Sequence, residues 1–266
     1  MTTRDSGISI DEHTVTRFHR DGHALVHGVA SRQEIAAYRP VIQQVVADVA
    51  RQNDKQGRID DYSKLFTQVT NIWRVNEAAR RIVFNRRWAG IAARLLGTSS
   101  VRLYHDQALF KPAGADRTPW HQDRYYWPLD TDLTVTMWLP IADVTEDMGP
   151  TRFASGSQRA TGLGDLAISG ATDRRLAEII EERGWLVESA PVAAGDATFH
   201  AGGTIHSAGA NNSDRVREVL TVIYYAAGSR VAQPANDNQR VDMEVFFPGT
   251  KPGDEAKSEL NPILFP

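Results

Sequence analysis

The first third of the chain shows hydrophobic positions at helical spacing. Ser31 is followed by Glu34, the capping-box pattern that begins a helix. Pro40 falls inside the segment that follows, and we expect it to kink or divide the helix. The apolar positions of this segment recur every three or four residues, which predicts an amphipathic helix. They are Ile35, Tyr38, Val41, Ile42, Val45, Val46 and Val49.

Shorter patterns surround this helix within residues 1–98. The stretch 23–29 (HALVHGV) follows an Asp-Gly turn and is predicted to be a strand. A second helix is predicted over about 88–96, closed by Gly97. Residues 53–63 are polar and charged, which predicts an exposed or mobile loop. We therefore expect residues 1–98 to form a helical preface.

The pattern changes from about residue 99. Runs of β-forming residues bounded by Gly, Pro and Asp occupy 101–111, 133–141, 190–199 and 219–226. A helical insertion is predicted at about 172–183. Strands at irregular intervals, without alternating helices, favour an antiparallel double sheet or barrel. We predict one domain over 1–266, mainly β with flanking helices, in which the preface 1–98 packs on a β core formed by 99–266.

Composition excludes several classes of protein. The 266 residues include no cysteine, which excludes disulfides, iron–sulfur clusters and thiolate zinc sites. The 30 basic and 33 acidic residues nearly cancel, and no basic run marks a nucleic-acid partner. The N-terminus lacks an apolar signal segment, and no apolar stretch approaches the roughly 18 residues of a membrane span. We expect a cytoplasmic protein without a nucleic-acid or membrane partner; its oligomeric state stays open.

A metal site is predicted around His121 and Asp123. In an extended strand these two side chains project from the same face, so both can reach one cation. His206 is the best candidate for a third ligand, and His200 is the alternative. Two histidines and one carboxylate on one face of a metal leave the opposite positions open, which suits non-haem Fe(II).

Arg217 is the second candidate feature. Between His206 and Arg217 lies a turn cluster rich in Gly, Asn and Ser, so the spacing predicts a hairpin that returns Arg217 to the depth of His206. A guanidinium buried in a β core needs an anion, and its fork matches a carboxylate at two points. A dicarboxylate that binds iron at one end and Arg217 at the other would meet both needs.

From Phe18 onwards these motifs resemble the phytanoyl-CoA dioxygenase (PhyH) family of Fe(II)/2-oxoglutarate-dependent oxygenases. The features that carry the resemblance are Phe18-His-Arg-Asp-Gly22, Lys111-Pro112, Trp120-His-Gln-Asp123, Trp138, Gly156-Ser157, Gly195-Asp196, His206 and Arg217. The resemblance implies a double-stranded β-helix core (jelly roll, cupin-like). It also implies that His121, Asp123 and His206 bind Fe(II) as the catalytic centre, that Arg217 pairs with the distal carboxylate of 2-oxoglutarate, and that O₂ is a second cosubstrate.

Further positions follow from the same resemblance. Gln107 and Thr118 are the expected contacts to 2-oxoglutarate, while Tyr125, Tyr126 and Trp73 are candidates for the substrate pocket. Two departures also stand out. Ala208 occupies a position where many members carry Ser, which loses that hydroxyl contact or shifts it to Ser207, and the common Gly-Ser-His ending of a loop is here Gly-Ser-Gln.

The resemblance implies oxidation of an unactivated C–H bond in a small molecule, with 2-oxoglutarate converted to succinate and CO₂. Hydroxylation is the first expectation; desaturation, epimerisation and cyclisation begin in the same way and stay open. A natural-product or amino-acid-derived substrate, as in secondary metabolism, is preferred. Asp123 disfavours halogenation, because halogenating relatives carry Gly or Ala there. Two alternatives remain: a catalytically silent jelly-roll binding protein, and a zinc- or manganese-dependent cupin-type hydrolase or isomerase.

Overall fold

The computed structural model describes residues 10–56, 67–163 and 167–266. Its first helices are α1 (Glu12–Asp21) and α2 (Arg32–Gln56). The capping box predicted for α2 is present: the Ser31 amide donates to the Glu34 carboxylate at 2.7 Å, and the Glu34 amide donates to the Ser31 hydroxyl at 3.2 Å.

Helix α2 runs through Pro40 without a break, so of the two expected outcomes the division is wrong and the kink stays a prediction. Burial of apolar side chains such as Ile42 and Val45 outweighs the one backbone hydrogen bond that proline cannot make. The polar segment 53–63 is also helical up to Gln56, which corrects the predicted start of the loop. Residues 57–63 lie outside the described residues.

Five further helices follow in the described ranges. They are α3 (Ile72–Val75), α4 (Glu77–Val83), α5 (Arg86–Leu96), α6 (Gly170–Glu182) and α7 (Asp237–Phe246). Helix α5 ends at Gly97, whose φ of 66° is the left-handed conformation expected of a C-terminal glycine. Helix α6 is the predicted insertion, whereas α7 has no counterpart among the predicted elements.

Eleven strands occupy the described residues. They are β1 (His23–Val26), β2 (Thr67–Thr70), β3 (Val101–Lys111), β4 (Thr118–His121), β5 (Thr134–Pro140), β6 (Thr151–Ala154), β7 (Val187–Ser189), β8 (Ala197–Ala201), β9 (His206–Ala208), β10 (Arg217–Ala226) and β11 (Ile263–Phe265). Two predicted strands are shorter than expected. The stretch 23–29 leaves the sheet after Val26, and the stretch 190–199 joins it only at Ala197, after a turn at Gly195.

The strands form two antiparallel sheets. The larger sheet has the order β1-β8-β5-β10-β3-β11, with β2 also paired to β3, and the smaller has the order β4-β9-β6-β7. Strands β1 and β2 come from the region before residue 99, so the preface contributes strands to the sheet in addition to helices.

Strand β10 divides the interior into two environments. Leu220 and Val222 pack in the core with residues of α2 and α5, whereas Arg217, Thr221 and Ile223 line a cavity. This alternation follows from the two-residue period of a strand. One face of the larger sheet is therefore covered by helices, and the other is open to the smaller sheet.

Within the described part of the chain, no helix has the length and apolar character needed to cross a membrane.

Candidate active site

A cavity of about 550 Å³ is lined by strands of both sheets, and it contains the predicted metal ligands. His121 ends β4 and is the cross-strand partner of His206, which begins β9. After His121 the backbone stays extended through Gln122, and Asp123 then begins a single 3₁₀ turn. The sheet thus places two imidazoles side by side, and the turn brings the carboxylate to them.

The donor atoms of these three residues converge. Asp123 Oδ1 lies 3.8 Å from His121 Nε2 and 3.6 Å from His206 Nε2. Each imidazole uses its other nitrogen on a backbone carbonyl: Nδ1 of His121 lies 2.8 Å from the oxygen of Pro119, and Nδ1 of His206 lies 3.0 Å from that of Thr204. A carbonyl only accepts, so each Nδ1 carries the proton and each Nε2 keeps its lone pair for a metal.

The electrostatics of the cluster also suit a cation. Burial lowers the pKa of His121 and of His206 to about 4, so both rings are neutral at neutral pH. Burial alone would raise the pKa of Asp123, but His206 and His200 hold it well below its usual value. Metal ligands must be deprotonated, and all three residues meet this condition. Among the described residues, no other cluster of His, Cys, Asp or Glu has this convergence.

The second oxygen of Asp123 is bound by protein. Thr136 donates its hydroxyl to Asp123 Oδ2 at 2.8 Å, and His200 Nε2 lies 3.3 Å from the same oxygen. His200 therefore contacts the far side of the carboxylate and does not belong to the converging cluster, which leaves His206 as the third candidate ligand. Sequence reasoning did not identify Thr136; its position on β5, whose side chains are all buried, gave no separate signal.

Strand β4 is fixed to the helical insertion. Asp173 of α6 accepts a hydrogen bond from the backbone amide of Trp120 at 2.9 Å and also binds Arg117. Trp120 directly precedes His121, so α6 holds the strand that carries the first of the three clustered side chains.

Arg217 lies buried at the start of β10 and lines the same cavity. It donates to the carbonyl of Gly149, and its guanidinium carbon lies 5.7 Å from the centre of the Trp138 ring. Its Nε has no hydrogen-bond partner among the described residues. Burial lowers the pKa of Arg217 to about 10, so the side chain stays protonated at neutral pH.

The position that accepts from Arg217 requires glycine. Gly149 has a φ of 68°, and a Cβ built on it would lie 2.3 Å from the backbone oxygen of Gly209. A larger residue at position 149 would push apart the loop that contains Gly149 and the loop that contains Gly209.

A second buried cation, which sequence reasoning missed, lies beside Arg217. Lys111 is the cross-strand neighbour of Arg217 and is fully buried. Its ammonium donates to the carbonyl of Gly209 at 2.9 Å and lies 3.4 Å from the Thr118 hydroxyl. Burial and the charge of Arg217 lower the pKa of Lys111 to about 7. No described carboxylate lies within 4 Å of either cation, so this end of the cavity suits an anion.

The predicted hairpin between His206 and Arg217 is wrong. His206 lies in the smaller sheet and Arg217 in the larger, so the connecting segment crosses between the sheets. The Asn211 side-chain amide explains this path, because it donates to the carbonyls of Lys111 at 3.0 Å and Arg215 at 2.7 Å. These bonds hold the turn at the end of β3, and β10 consequently pairs with β3 and β5.

Three of the other predicted positions line the cavity. They are Gln107 and Thr118, expected at the cosubstrate, and Tyr126, expected at the substrate. His105 and Leu109 also line it, as alternation along β3 predicts. Ser207 lines the cavity as well, and its buried hydroxyl has no hydrogen-bond partner in the described part of the chain.

The structure places Tyr125 and Trp73 outside this cavity. Tyr125 borders a neighbouring cleft, because the 3₁₀ turn directs it away from Tyr126; the two rings are nearly perpendicular. Trp73 packs against Phe84 at a centroid distance of 5.2 Å, on the side of the molecule where α3 meets α4. Neither side chain therefore lines the cavity that contains the candidate metal ligands.

Sequence reasoning also missed one face of α7. Asn238, Asp242 and Phe246 recur every four residues, and all three line the cavity. The spacing is visible in the sequence, but nothing there indicates that this helix covers the cavity.

Comparison with known proteins agrees with this geometry. The family model for "Phytanoyl-CoA dioxygenase (PhyH)" matches residues 18–219. The ectoine dioxygenase of Streptomyces coelicolor is 21% identical over 238 residues, which are 81% of this chain and 77% of that protein.

Solved structures match over nearly the whole chain. The non-heme alpha-ketoglutarate-dependent carbocyclase SnoK from nogalamycin biosynthesis superposes with a TM-score of 0.77 at 26% identity, covering 96% of both chains. The epimerase SnoN, solved with Fe3+, alpha ketoglutarate and nogalamycin RO, superposes with a TM-score of 0.73 at 23% identity, covering 95% of this chain and 98% of SnoN. These likenesses confirm the predicted jelly-roll core. The chain thus belongs to the phytanoyl-CoA dioxygenase (PhyH) family of iron- and 2-oxoglutarate-dependent oxygenases.

Proposed function

We propose that this protein is an Fe(II)/2-oxoglutarate-dependent dioxygenase that oxidises a C–H bond of a small molecule, with hydroxylation as the first expected outcome. One observation carries the proposal: a cluster of two imidazoles and one carboxylate shares a cavity with an arginine that has no acidic partner among the described residues.

His121, Asp123 and His206 are the proposed iron ligands. Their donor atoms are deprotonated and converge, and Asp123 Oδ1 lies 3.6 and 3.8 Å from the two Nε2 atoms, close enough for all three atoms to reach one ion. Thr136 and His200 occupy Asp123 Oδ2, so the carboxylate offers one oxygen to the metal. A facial set of three ligands leaves room for a bidentate cosubstrate and for O₂.

Arg217 is the proposed partner of the distal carboxylate of 2-oxoglutarate. The guanidinium fork binds a carboxylate at two points, and such an anion would neutralise a buried charge. Gln107 and Thr118, from β3 and β4, are the proposed polar contacts to the same molecule. Lys111 lies behind Thr118 and adds positive charge at this end.

The chain's own contribution is positioning and exclusion of water. Fe(II) and 2-oxoglutarate, when bound, supply activation of O₂ for C–H oxidation, with succinate and CO₂ as coproducts. The ligand set is held by β4, β9 and the turn at Asp123, while Trp138 covers the guanidinium of Arg217. The remainder of the cavity orients the substrate toward the open side of the cluster.

The reaction outcome and the substrate are proposals at a finer level. A natural product or amino-acid-derived compound is supported by the relatives, which include an ectoine dioxygenase and enzymes of nogalamycin biosynthesis. SnoK and SnoN are described as a carbocyclase and an epimerase, so these outcomes stay alongside hydroxylation. The alternatives, a zinc or manganese hydrolase and a silent binding protein, do not specify an anion that would pair with the buried guanidinium of Arg217.

Anaerobic spectroscopy tests the proposal. Addition of Fe(II) and 2-oxoglutarate to the wild-type protein should produce the weak visible charge-transfer band of the chelate, and air should then release succinate. His121→Ala should abolish both signals. His27→Ala is a matched control, because His27 is exposed and lies outside the cavity. A full band in His121→Ala, or succinate release without O₂, would contradict the assignment.

A further inference from the structure

One side of the cavity is formed by α7 instead of by a strand. Asn238, Asp242 and Phe246 stand on one face of this helix and line the cavity. Helix α7 is anchored next to the candidate metal ligands, because Asn236 and Gln239 both donate to the backbone carbonyl of Tyr125 at 3.2 Å. The helix therefore holds a fixed position relative to the turn that carries Asp123.

Asp242 is held in a defined orientation on this helix. The hydroxyl of Tyr104 donates to Asp242 Oδ2 at 2.8 Å, and Tyr104 is itself fully buried. The ring of Tyr104 packs against that of Phe246 at 5.3 Å. One carboxylate oxygen is thus bound by protein, and no described Lys, Arg or His nitrogen lies within 4 Å of either oxygen.

The charge of Asp242 is separated from the cations of the cavity. Tyr104 precedes Lys111 by seven positions on β3, which corresponds to roughly 20 Å along a strand. Burial raises the pKa of Asp242 to about 6, so the carboxylate is mostly ionised at neutral pH. The neighbouring His105 does not compensate for this charge, because burial lowers its pKa to about 3 and leaves it neutral.

Aromatic rings complete this part of the cavity. Tyr126, Trp127 and Phe246 line it together with Asp242. A carboxylate that shares a cavity with aromatic rings is an environment that suits an ammonium group, through an ion pair and through cation–π attraction. A neutral hydroxyl would satisfy the free oxygen but would leave the charge of this partly buried carboxylate without a counter-charge.

We infer that Asp242 is a specificity-determining residue that binds a protonated amine of the substrate, and that the enzyme acts on amine-bearing small molecules. This inference rests on the proposed function, because it assigns the substrate end of the same cavity. The amine docks between Asp242 and the aromatic rings, and the carbon skeleton attached to it extends toward the open side of the metal cluster.

A pair of probes that differ in charge tests the inference. N,N-dimethylbenzylamine is cationic at neutral pH, and N,N-dimethylbenzamide is a neutral molecule of similar size. Their dissociation constants would be measured by ligand-observed NMR on the anaerobic protein with Fe(II) and 2-oxoglutarate. We expect the wild-type protein to bind the amine about tenfold more tightly than the amide. Asp242→Asn should remove this preference and leave the amide affinity within about twofold, since the amide oxygen can still accept from Tyr104.

Glu244→Gln is the matched control. Glu244 lies on the same helix and is exposed, so this variant makes the same change of charge outside the cavity and should keep the preference. Equal or undetectable binding of both probes to the wild-type protein overturns the inference. So does a preference that survives in Asp242→Asn, or one that Glu244→Gln removes to the same extent. Failure of the proposed function has a separate signature: the wild-type protein would lack the charge-transfer band whatever the two probes do.

Discussion

The two ends of the cavity are built in different ways. The end around Arg217 and Lys111 is made by strands β10 and β3 of the larger sheet, where these two residues are direct cross-strand partners. The end around Asp242 is made by α7 and by the segment that contains Tyr126, which are held by a few side-chain hydrogen bonds. The end proposed to bind 2-oxoglutarate is thus part of the larger sheet. The end proposed to bind the substrate lies on α7 and on the segment around Tyr126, which are joined to the rest of the protein by side-chain hydrogen bonds.

The two ends also differ in charge. Arg217 and Lys111, neither of which has a described carboxylate within 4 Å, occupy the strand-built end, and Asp242, which has no described basic nitrogen within 4 Å, occupies the helix-built end. A dianion and a cation would therefore select opposite ends of one cavity. A substitution at one end should therefore affect the ligand expected at that end and leave binding at the other end unchanged.

The largest effect is expected at Arg217. Arg217→Ala removes the proposed partner of the distal carboxylate of 2-oxoglutarate and should raise the KM for 2-oxoglutarate by about 100-fold, which corresponds to roughly 3 kcal/mol. Arg217→Lys keeps the charge but loses the two-point geometry, so a smaller increase is expected. Succinate assays over a range of 2-oxoglutarate concentrations measure both. The affinity for N,N-dimethylbenzylamine should not change in either variant. If Arg217→Ala left the KM for 2-oxoglutarate unaltered, the proposal that 2-oxoglutarate binds at the Arg217 end would be contradicted.

The second-largest effect is expected at the proposed metal ligands. Thr136→Val removes the 2.8 Å hydrogen bond to Asp123 Oδ2 and should weaken Fe(II) binding by about 10- to 100-fold. Thr134→Val is the control, because it makes the same change two residues away on β5, outside the lining of this cavity. Anaerobic Fe(II) titration provides the measurement. Equal losses in both variants would indicate a general effect on β5.

The lowered pKa of Lys111 predicts that binding of 2-oxoglutarate depends on pH. Its pKa of about 7 means that the ammonium loses its proton as the pH rises through neutrality, so binding of 2-oxoglutarate should weaken in that range. Lys111→Met should weaken binding about fivefold at pH 6 and flatten the profile. The variant should not lower the melting temperature, because a buried charge is replaced by an apolar side chain of similar volume. A wild-type profile that is flat across neutral pH would contradict this role.

The smallest effect is expected at Tyr126. Its hydroxyl accepts a hydrogen bond from the backbone amide of Ile168 at 2.9 Å. Tyr126→Phe removes that bond, worth about 1 kcal/mol, and should weaken binding of N,N-dimethylbenzylamine by about fivefold or less. The KM for 2-oxoglutarate should stay the same. A change in that KM equal to the change in probe affinity would show that the two ends are coupled.

Much of the fold could be predicted from local patterns. The capping box at Ser31, the glycine that ends α5, strand β3 and the insertion α6 are all encoded by neighbouring residues. The errors occurred where distant contacts decide the outcome. Proline did not divide α2 because its apolar face is buried, and the segment after His206 did not form a hairpin because Asn211 binds the end of β3.

The candidate site divides in the same way. The sequence by itself determined the types and spacing of His121, Asp123, His206 and Arg217, because a metal ligand set and its partner cation are limited to a few residue types. Only the tertiary structure showed that Thr136 and His200 hold Asp123, that Lys111 lies beside Arg217 and that Asp242 faces the cavity. Whether a side chain can bind a metal or an anion depends on its residue type, which the sequence gives directly. Its burial and its charge partners depend on which distant segments of the chain pack against it.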